Sequence, residues 1–342
     1  MGMVCKKMVS GLVLPALIAL VLSVSARATE SPFDIYPIHF ATIDGTAIAY
    51  QDMGPPDGEP VLLIMGLGAQ MLHWGDPLVR GLLKQGYRVI LLDNRDAGLS
   101  QKFYALSAPP IWWALVKQKV GITPKPFYTL SDMASDAVGV LDTLNIQRAH
   151  IVGASMGGMI AQVFAAENPQ RVRSLTSIMS SSGAPNLPEP AQAAVSALAS
   201  GAESSLTLEG ELDKRVEIAR TIGSPRYFSE TYARALAKRV VSRGTYPPGT
   251  VRQFLAILAS GDRSPLLNKL QLPVLVIHGD ADPLLPIAHG RDTAQKIPDA
   301  HFVAIRDMGH ALEPAVSRLV LEQLIPFFDA VRAQPQISEV GR

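Results

Sequence analysis

Apolar residues in this chain fall into short continuous runs separated by stretches of helical period. The runs "VLLIMG" (61–66), "YRVILLD" (87–93), "AHIVGA" (149–154), "LTSIMS" (175–180), "LPVLVIHG" (272–279) and "HFVAIRD" (301–307) read as strands buried on both faces of a sheet. Between them, amphipathic patterns predict helices at about 76–85, 131–144, from 157 onward, about 287–297 and about 314–331. Ahead of these, "IYPIHFATID" and "TAIAYQDMG" predict a hairpin with Asp44-Gly45 as its turn, and "GPPDGEP" breaks the chain before the first buried run. Ser131 followed by Asp132 reads as an N-cap, and Glu167-Asn168-Pro169 as a helix end. Buried strands alternating with helices imply right-handed crossovers: an α/β fold with a mostly parallel central sheet and helices on both faces.

The alternation lapses between about 183 and 270. There "AQAAVSALAS", "LDKRVEIARTI", "ETYARALAKRVV" and "TVRQFLAILAS" are helical with no strand among them, punctuated by Gly-Ser-Pro at 223–225 and Pro-Pro-Gly at 247–249. This pattern predicts a helical cap inserted into the α/β core. The expected organisation is a signal peptide at 1–28, a first part of the core at 29–182, the cap at 183–262 and a second part of the core at 263–342. No internal repeat or low-complexity tract interrupts it.

Composition narrows the class of partner. The chain of 342 residues is 48% hydrophobic and 18% charged, which supplies a large core and argues against disorder. Its net charge is +1 with both signs interspersed, so no electrostatic footprint for nucleic acid is present, and a small molecule is the expected partner. Lys6 and Lys7, the apolar run from Met8 to Val24, and Ala26-Arg27-Ala28 have the layout of a secretory signal cleaved before Thr29. The run is short for a membrane span and contains Pro15; an uncleaved N-terminal anchor is the alternative. Either places the rest of the chain outside the cytoplasm, in the periplasm or secreted, with no stable membrane insertion if the signal is removed. Cys5, the one cysteine, lies inside that segment and ahead of the apolar run, so no disulfide, cysteine nucleophile or lipid-attachment site is expected.

Gly153-Ala154-Ser155-Met156-Gly157 fits G-x-S-x-G with a strand before it and a helix after it. A nucleophile on such a turn takes strained backbone angles, and side chains two residues to either side would collide with the packed backbone. Ser155 is therefore the candidate nucleophile, and the Met156 amide at the helix N-terminus a candidate oxyanion donor. A serine needs a base oriented by an acid. Of seven histidines, His310 stands just past a strand end beside Gly309; His278 lies within a strand run, His150 and His301 start strands, and His39, His73 and His289 lack such a position. Asp282, just past the preceding strand, is the candidate acid, with Asp280 as competitor; directly after Gly279, Asp280 reads as a turn former. The loop "MGLGAQ" (65–70) is the expected second oxyanion element, with Leu67 as donor and Gly66 and Gly68 permitting close approach. Asp93, Arg95 and Asp96 read as loop braces, and Trp74, Trp112 and Trp113 as pocket walls or packing.

These residues carry a resemblance. Residues 35–182 and 263–330 resemble the α/β-hydrolase superfamily, and "DNRDAGLS" with "YTLSDMASDAVGVLDTLNI…AHIVGASMGGMIAQ" is similar to the bacterial serine esterase branch that includes aclacinomycin methylesterase-like proteins. The resemblance implies Ser155 as nucleophile, Asp282 as acid, His310 as base, and Leu67 and Met156 as oxyanion donors. One departure is Met65, where many relatives carry histidine. The lack of an "HGGPG" segment speaks against the proline iminopeptidase branch, and serine at the elbow against haloalkane dehalogenation. The expected activity is hydrolysis of carboxylic esters of a small to medium-sized molecule through an acyl-enzyme, with no metal or organic cofactor required. Thioester or carbon–carbon bond hydrolysis, acyl transfer, and non-catalytic ligand binding on the same fold are the alternatives.

Overall fold

The computed structural model describes residues 30–107, 113, 125–201 and 207–334; the predicted signal segment and Trp112 lie outside them. Among the described residues eight strands form one sheet: β1 (His39–Ile43), β2 (Thr46–Met53), β3 (Pro60–Ile64), β4 (Arg88–Leu92), β5 (Ala149–Ala154), β6 (Val172–Ile178), β7 (Val274–Gly279) and β8 (His301–Ile305). Their spatial order is β1-β2-β4-β3-β5-β6-β7-β8. The β1–β2 and β2–β4 pairs are antiparallel and every other pair is parallel.

The helices are α1 (Pro32–Ile35), α2 (Gly75–Lys84), α3 (Leu130–Thr143), α4 (Met156–Glu167), α5 (Gln192–Gly201), α6 (Leu208–Ile222), α7 (Glu230–Ser242), α8 (Pro247–Ser260), α9 (Ser264–Leu267), α10 (Ala288–Lys296) and α11 (Pro314–Ala333). Strand periodicity sorts the core into two layers. Leu62 and Ile64 of β3 pack with Met133, Ala137, Ile160 and Phe164 of α3 and α4. The intervening Val61 and Leu63 pack on the other face with Leu78, Leu82, Val320, Leu324 and Phe328 of α2 and α11. Both faces are covered, which is why β3, β5 and β7 are buried along nearly their whole length and do not alternate. No described helix is long and apolar enough to cross a membrane.

Three local expectations change. The first strand of the hairpin begins at His39, because Pro32, with its fixed φ, opens a single helical turn through Ile35. The N-cap of α3 is Thr129, not Ser131: Thr129 Oγ1 accepts the Asp132 amide at 3.1 Å, and Asp132 Oδ2 accepts the Thr129 amide at 2.7 Å. Ser131, two residues further in, donates its hydroxyl to Glu167 on α4 at 2.7 Å. Pro247 and Pro248 open α8, where their missing N–H groups would have had no acceptor in any case.

Helices α5 to α8 lie between β6 and β7, which are neighbours in the sheet. The segment departs past the carboxyl end of β6 and comes back beside its own departure point, where the Arg263 amide donates to Ser182 O at 2.9 Å. Arg263, almost fully buried, also donates to Ser181 O, Gly261 O, Ser260 Oγ and Gln162 Oε1. From there α9 leads back down to the start of β7.

Candidate active site

Ser155 sits between the last residue of β5 and the first of α4, at φ 56° and ψ −123°. A non-glycine residue at positive φ stores strain, and here packing holds it. The Ser155 amide donates to Ile178 O at 2.9 Å, and its carbonyl accepts Ser180 Oγ at 2.7 Å. The flanking glycines have spatial reasons: a Cβ on Gly153 would fall 2.1 Å from Gly157 O, and one on Gly157 would fall 2.0 Å from Ile64 O. Gly66 is confined likewise, since its Cβ would lie 2.9 Å from Ser155 Cβ.

Past the ends of β7 and β8 the chain brings two groups to this serine. His310 Nε2 is 2.9 Å from Ser155 Oγ, and His310 Nδ1 is 2.7 Å from Asp282 Oδ2. Asp282 Oδ1 accepts the amides of Leu284 and Leu285 at 2.9 Å each. Burial alone would raise the Asp282 carboxyl; the His310 imidazole and the Leu285 amide outweigh it and hold the group below its ordinary 3.8. An ionised carboxylate only accepts, so Nδ1 carries the imidazole proton and Nε2 is left to accept from the serine hydroxyl. Asp280 is turned away: its Oδ1 accepts the Asp307 amide at 2.7 Å and braces the exposed turn after β8.

No other described histidine is hydrogen-bonded to Ser155, although His278 Nε2 lies 3.6 Å from Asp282 Oδ2. His278 Nε2 is 2.7 Å from Leu285 O, and burial pushes its imidazole below the ordinary value. His289 meets Ser181 Oγ and Pro188 O, and His73 Nδ1 is tied to Gln70. Trp74 is wholly buried in the α2–α11 layer, whereas Trp113 is exposed. Among the described residues no group of three or more His, Cys, Asp or Glu side chains converges as a metal site.

Met156 opens α4 and Leu67 lies in the loop after β3; among the described residues neither amide has an acceptor. The loop is held from two sides and turns at a glycine. Met65 O accepts Asn94 Nδ2 at 2.7 Å, Gly68 turns at φ 64°, and the Gly68 amide donates to Gln253 Oε1 at 2.7 Å. Gln253 belongs to α8 and also donates to Arg95 O. Asp93 and Asp96 brace loops as expected, and both join the core to the helical segment as well. Asp93 accepts the Met71 and Leu99 amides and meets Arg243 at 2.7 Å, while Asp96 accepts Nε and Nη2 of Arg252 at 2.8 Å each with neither side chain exposed.

Sequence reasoning missed the residues of the helical segment that reach this site. Ile222 O accepts the His310 amide at 2.6 Å, and Ser224 Oγ accepts the Gly309 amide at 3.0 Å. The one signal available was Arg252-Gln253, a polar pair set among Val251, Leu255 and Ala256 on the buried face of α8. A polar pair on such a face needs partners, but the pattern cannot say which.

With this geometry in place the class is defined: residues 59–312 match the model of the alpha/beta hydrolase fold, and the chain belongs to that family. Among curated proteins it is similar to rhodomycin D methylesterase DnrP of Streptomyces peucetius, 29% identical over 300 residues that cover 82% of this chain and 94% of that one. It is also similar to 2-hydroxy-6-oxononadienedioate/2-hydroxy-6-oxononatrienedioate hydrolase of Paraburkholderia phymatum, 27% identical over 267 residues covering 77% and 84%. Among solved structures, the enol-lactonase of Burkholderia xenovorans LB400 superposes with a TM-score of 0.64 at 23% identity, over 85% of this chain and all of that one, a likeness of fold.

Proposed function

We propose that this protein is an exported serine hydrolase that cleaves carboxylic esters of small to medium-sized molecules through an acyl-enzyme. The observation that carries the reading is the hydrogen-bonded line from Ser155 Oγ, on a strained turn at a helix N-terminus, through both nitrogens of His310 to Asp282. Ser155 Oγ attacks the ester carbonyl as His310 Nε2 takes its proton, and the oxyanion is received by the amides of Leu67 and Met156. His310 then protonates the leaving alkoxide and the alcohol departs. Water, deprotonated by His310, attacks the acyl-enzyme and releases the acid and free Ser155. Asp282 keeps the proton on Nδ1 in the resting state and stabilises the imidazolium as it forms. No metal or organic cofactor takes part.

The similarity to a methylesterase supports the ester as substrate class. The helical segment at 183–262 is the cap that overhangs the site and selects among esters, supported by its contacts with the loops of His310 and Leu67. Export rests on the basic start, the apolar run and Ala26-Arg27-Ala28. N-terminal sequencing of protein from its natural compartment should begin at Thr29; an intact Met1 in a membrane fraction would show an anchor instead. The decisive experiment for the chemistry is labelling by a fluorophosphonate together with turnover of a graded series of p-nitrophenyl esters. Wild type should be labelled at Ser155 and turn over; absence of both would leave a ligand-binding protein on a hydrolase fold.

A further inference from the structure

Glu313 is the residue at the start of α11 where a side chain would be expected to cap the helix, and it makes no such bond. Its carboxylate instead reaches Ser224, just past the end of α6: Oε1 accepts the Ser224 amide at 2.7 Å, and Oε2 accepts the Ser224 hydroxyl at 2.9 Å. With its proton given to Glu313, Ser224 Oγ accepts the Gly309 amide at 3.0 Å, and the next amide, that of His310, donates to Ile222 O. The two backbones are in close contact, since a Cβ on Gly309 would fall 2.2 Å from Gly223 O and one on Gly223 would fall 2.8 Å from Glu313 Oε1. Glu313 and Ser224 are both buried, and the Glu313 carboxylate makes no salt bridge among the described residues. A buried carboxylate without a cation is costly, and burial pushes this one above its ordinary value. Packing alone would be served as well by an apolar side chain.

We propose that Ser224 and Glu313 are positioning residues, a clamp by which the end of cap helix α6 holds the backbone of Gly309 and His310 so that Nε2 stays in line with Ser155 Oγ. The clamp rests on the serine-hydrolase reading of the site. It makes the cap part of the machinery that sets the base as well as a roof over the substrate. A cap lifted at this edge would carry the His310 loop with it, and a cap seated there completes the alignment.

The clamp is tested by comparing kcat, KM and the rate of fluorophosphonate labelling in wild type, Ser224→Ala, Glu313→Ala and Glu313→Gln, each checked for folding by circular dichroism and thermal melting. Ser224→Ala and Glu313→Ala should lower kcat and the labelling rate in parallel by about 10- to 100-fold, with KM within about 3-fold, since alignment of the base is used in the transition state more than in binding. Glu313→Gln, whose amide oxygen can still accept the Ser224 N–H, should recover most of the loss. A folded Ser224→Ala with wild-type kcat and labelling, or with its whole defect in KM, would overturn the clamp. Should Ser224→Ala fail to fold, the Glu313 pair decides, and equal kcat in Glu313→Gln and Glu313→Ala would overturn it. Labelling of wild type separates the two readings: a labelled wild type with an unaffected clamp variant defeats the clamp alone, and an unlabelled, inactive wild type defeats both.

Discussion

Strand β5 has a serine, an imidazole and a carboxylate gathered at each of its ends. At the amino end His150 Nδ1 is 2.7 Å from Ser174 Oγ, and Nε2 is 3.2 Å from Glu59 Oε1. At the carboxyl end His310 stands between Ser155 and Asp282 at 2.9 and 2.7 Å. The residue types and distances are nearly the same, and the surroundings are not. His150 and Ser174 are wholly buried, and the His150 ring is stacked on Phe328 with centroids 4.1 Å apart. Ser174 lies within β6 and pairs with His150 itself, just past a register shift between Ala149 and His150. The carboxylate of Glu59 also serves Arg332 at 2.7 Å and Arg173 at 3.4 Å. Ser155 instead is partly exposed, lifted at positive φ onto the start of a helix, with two amides left without acceptors. Chemistry at a serine needs access, a base whose acid is not shared with cations, and donors for the developing oxyanion; a set of three residue types supplies none of these by itself.

Matched substitutions at the two ends would break or sharpen this contrast. The largest effect is expected at the serines: Ser155→Ala should lower ester turnover by about 10³-fold or more while remaining folded, and Ser174→Ala should leave kcat within about 2-fold. Near wild-type turnover in Ser155→Ala would sink the assignment of that end. Among the acids, Asp282→Asn should cost about 10²- to 10³-fold in kcat through loss of imidazolium stabilisation, with Asp280→Asn and Glu59→Gln close to wild type. A steady-state assay of the three variants ranks them, and a larger defect in Asp280→Asn would move the role there.

A smaller effect should follow from the backbone. Gly157→Ala should destabilise by about 1 to 3 kcal/mol in urea unfolding, since its Cβ has no room beside Ile64 O.

The smallest effect concerns pH at the amino end. His150 contact and, after it, Arg332 draw the Glu59 carboxyl down to about 2 against its burial, so its contribution is present above the ordinary 4.5 and is lost as pH falls toward 2. Burial lowers the His150 imidazole, so the unfolded chain takes up a proton before the folded one does, and stability begins to fall below the ordinary 6.5. His73, pushed down to about 4 by burial, adds in the same direction. Urea midpoints against pH should therefore decline on the acid side, less steeply below 6.5 in His150→Gln than in wild type; an unchanged slope would remove His150 from the account.

Much of this molecule is legible along the chain. Continuous apolar runs imply strands covered on both faces because a strand with two buried faces has no polar side to alternate, and β3 to β8 fall within or beside the runs from which they were expected; β8 departs from the expected burial, since it is the sheet edge and leaves His301 and Ala304 exposed. The elbow is equally local. Gly153, Ser155 and Gly157 lie within five residues, and the collisions that require glycine arise where the turn meets its own helix and the neighbouring strand. Helix starts were less legible, as Thr129 shows, because Ser131 and Thr129 are both good caps and only the direction of chain entry chooses between them.

What the sequence determined by itself was thus the order of strands and helices and the seat of Ser155, both consequences of burial and backbone geometry acting over a few residues. The tertiary structure alone decided which carboxylate faces His310. Asp280 and Asp282 are two residues apart, and the path of the turns after β7 and β8 sends one to the Asp307 amide and the other to the imidazole. It alone joined Gln253 to Gly68, Arg252 to Asp96, and Ser224 to Gly309 and Glu313, partners separated by 85 to 185 positions. Such pairs leave no periodic trace, because a hydrogen bond depends on where two distant backbones meet and not on the spacing of residues along either one.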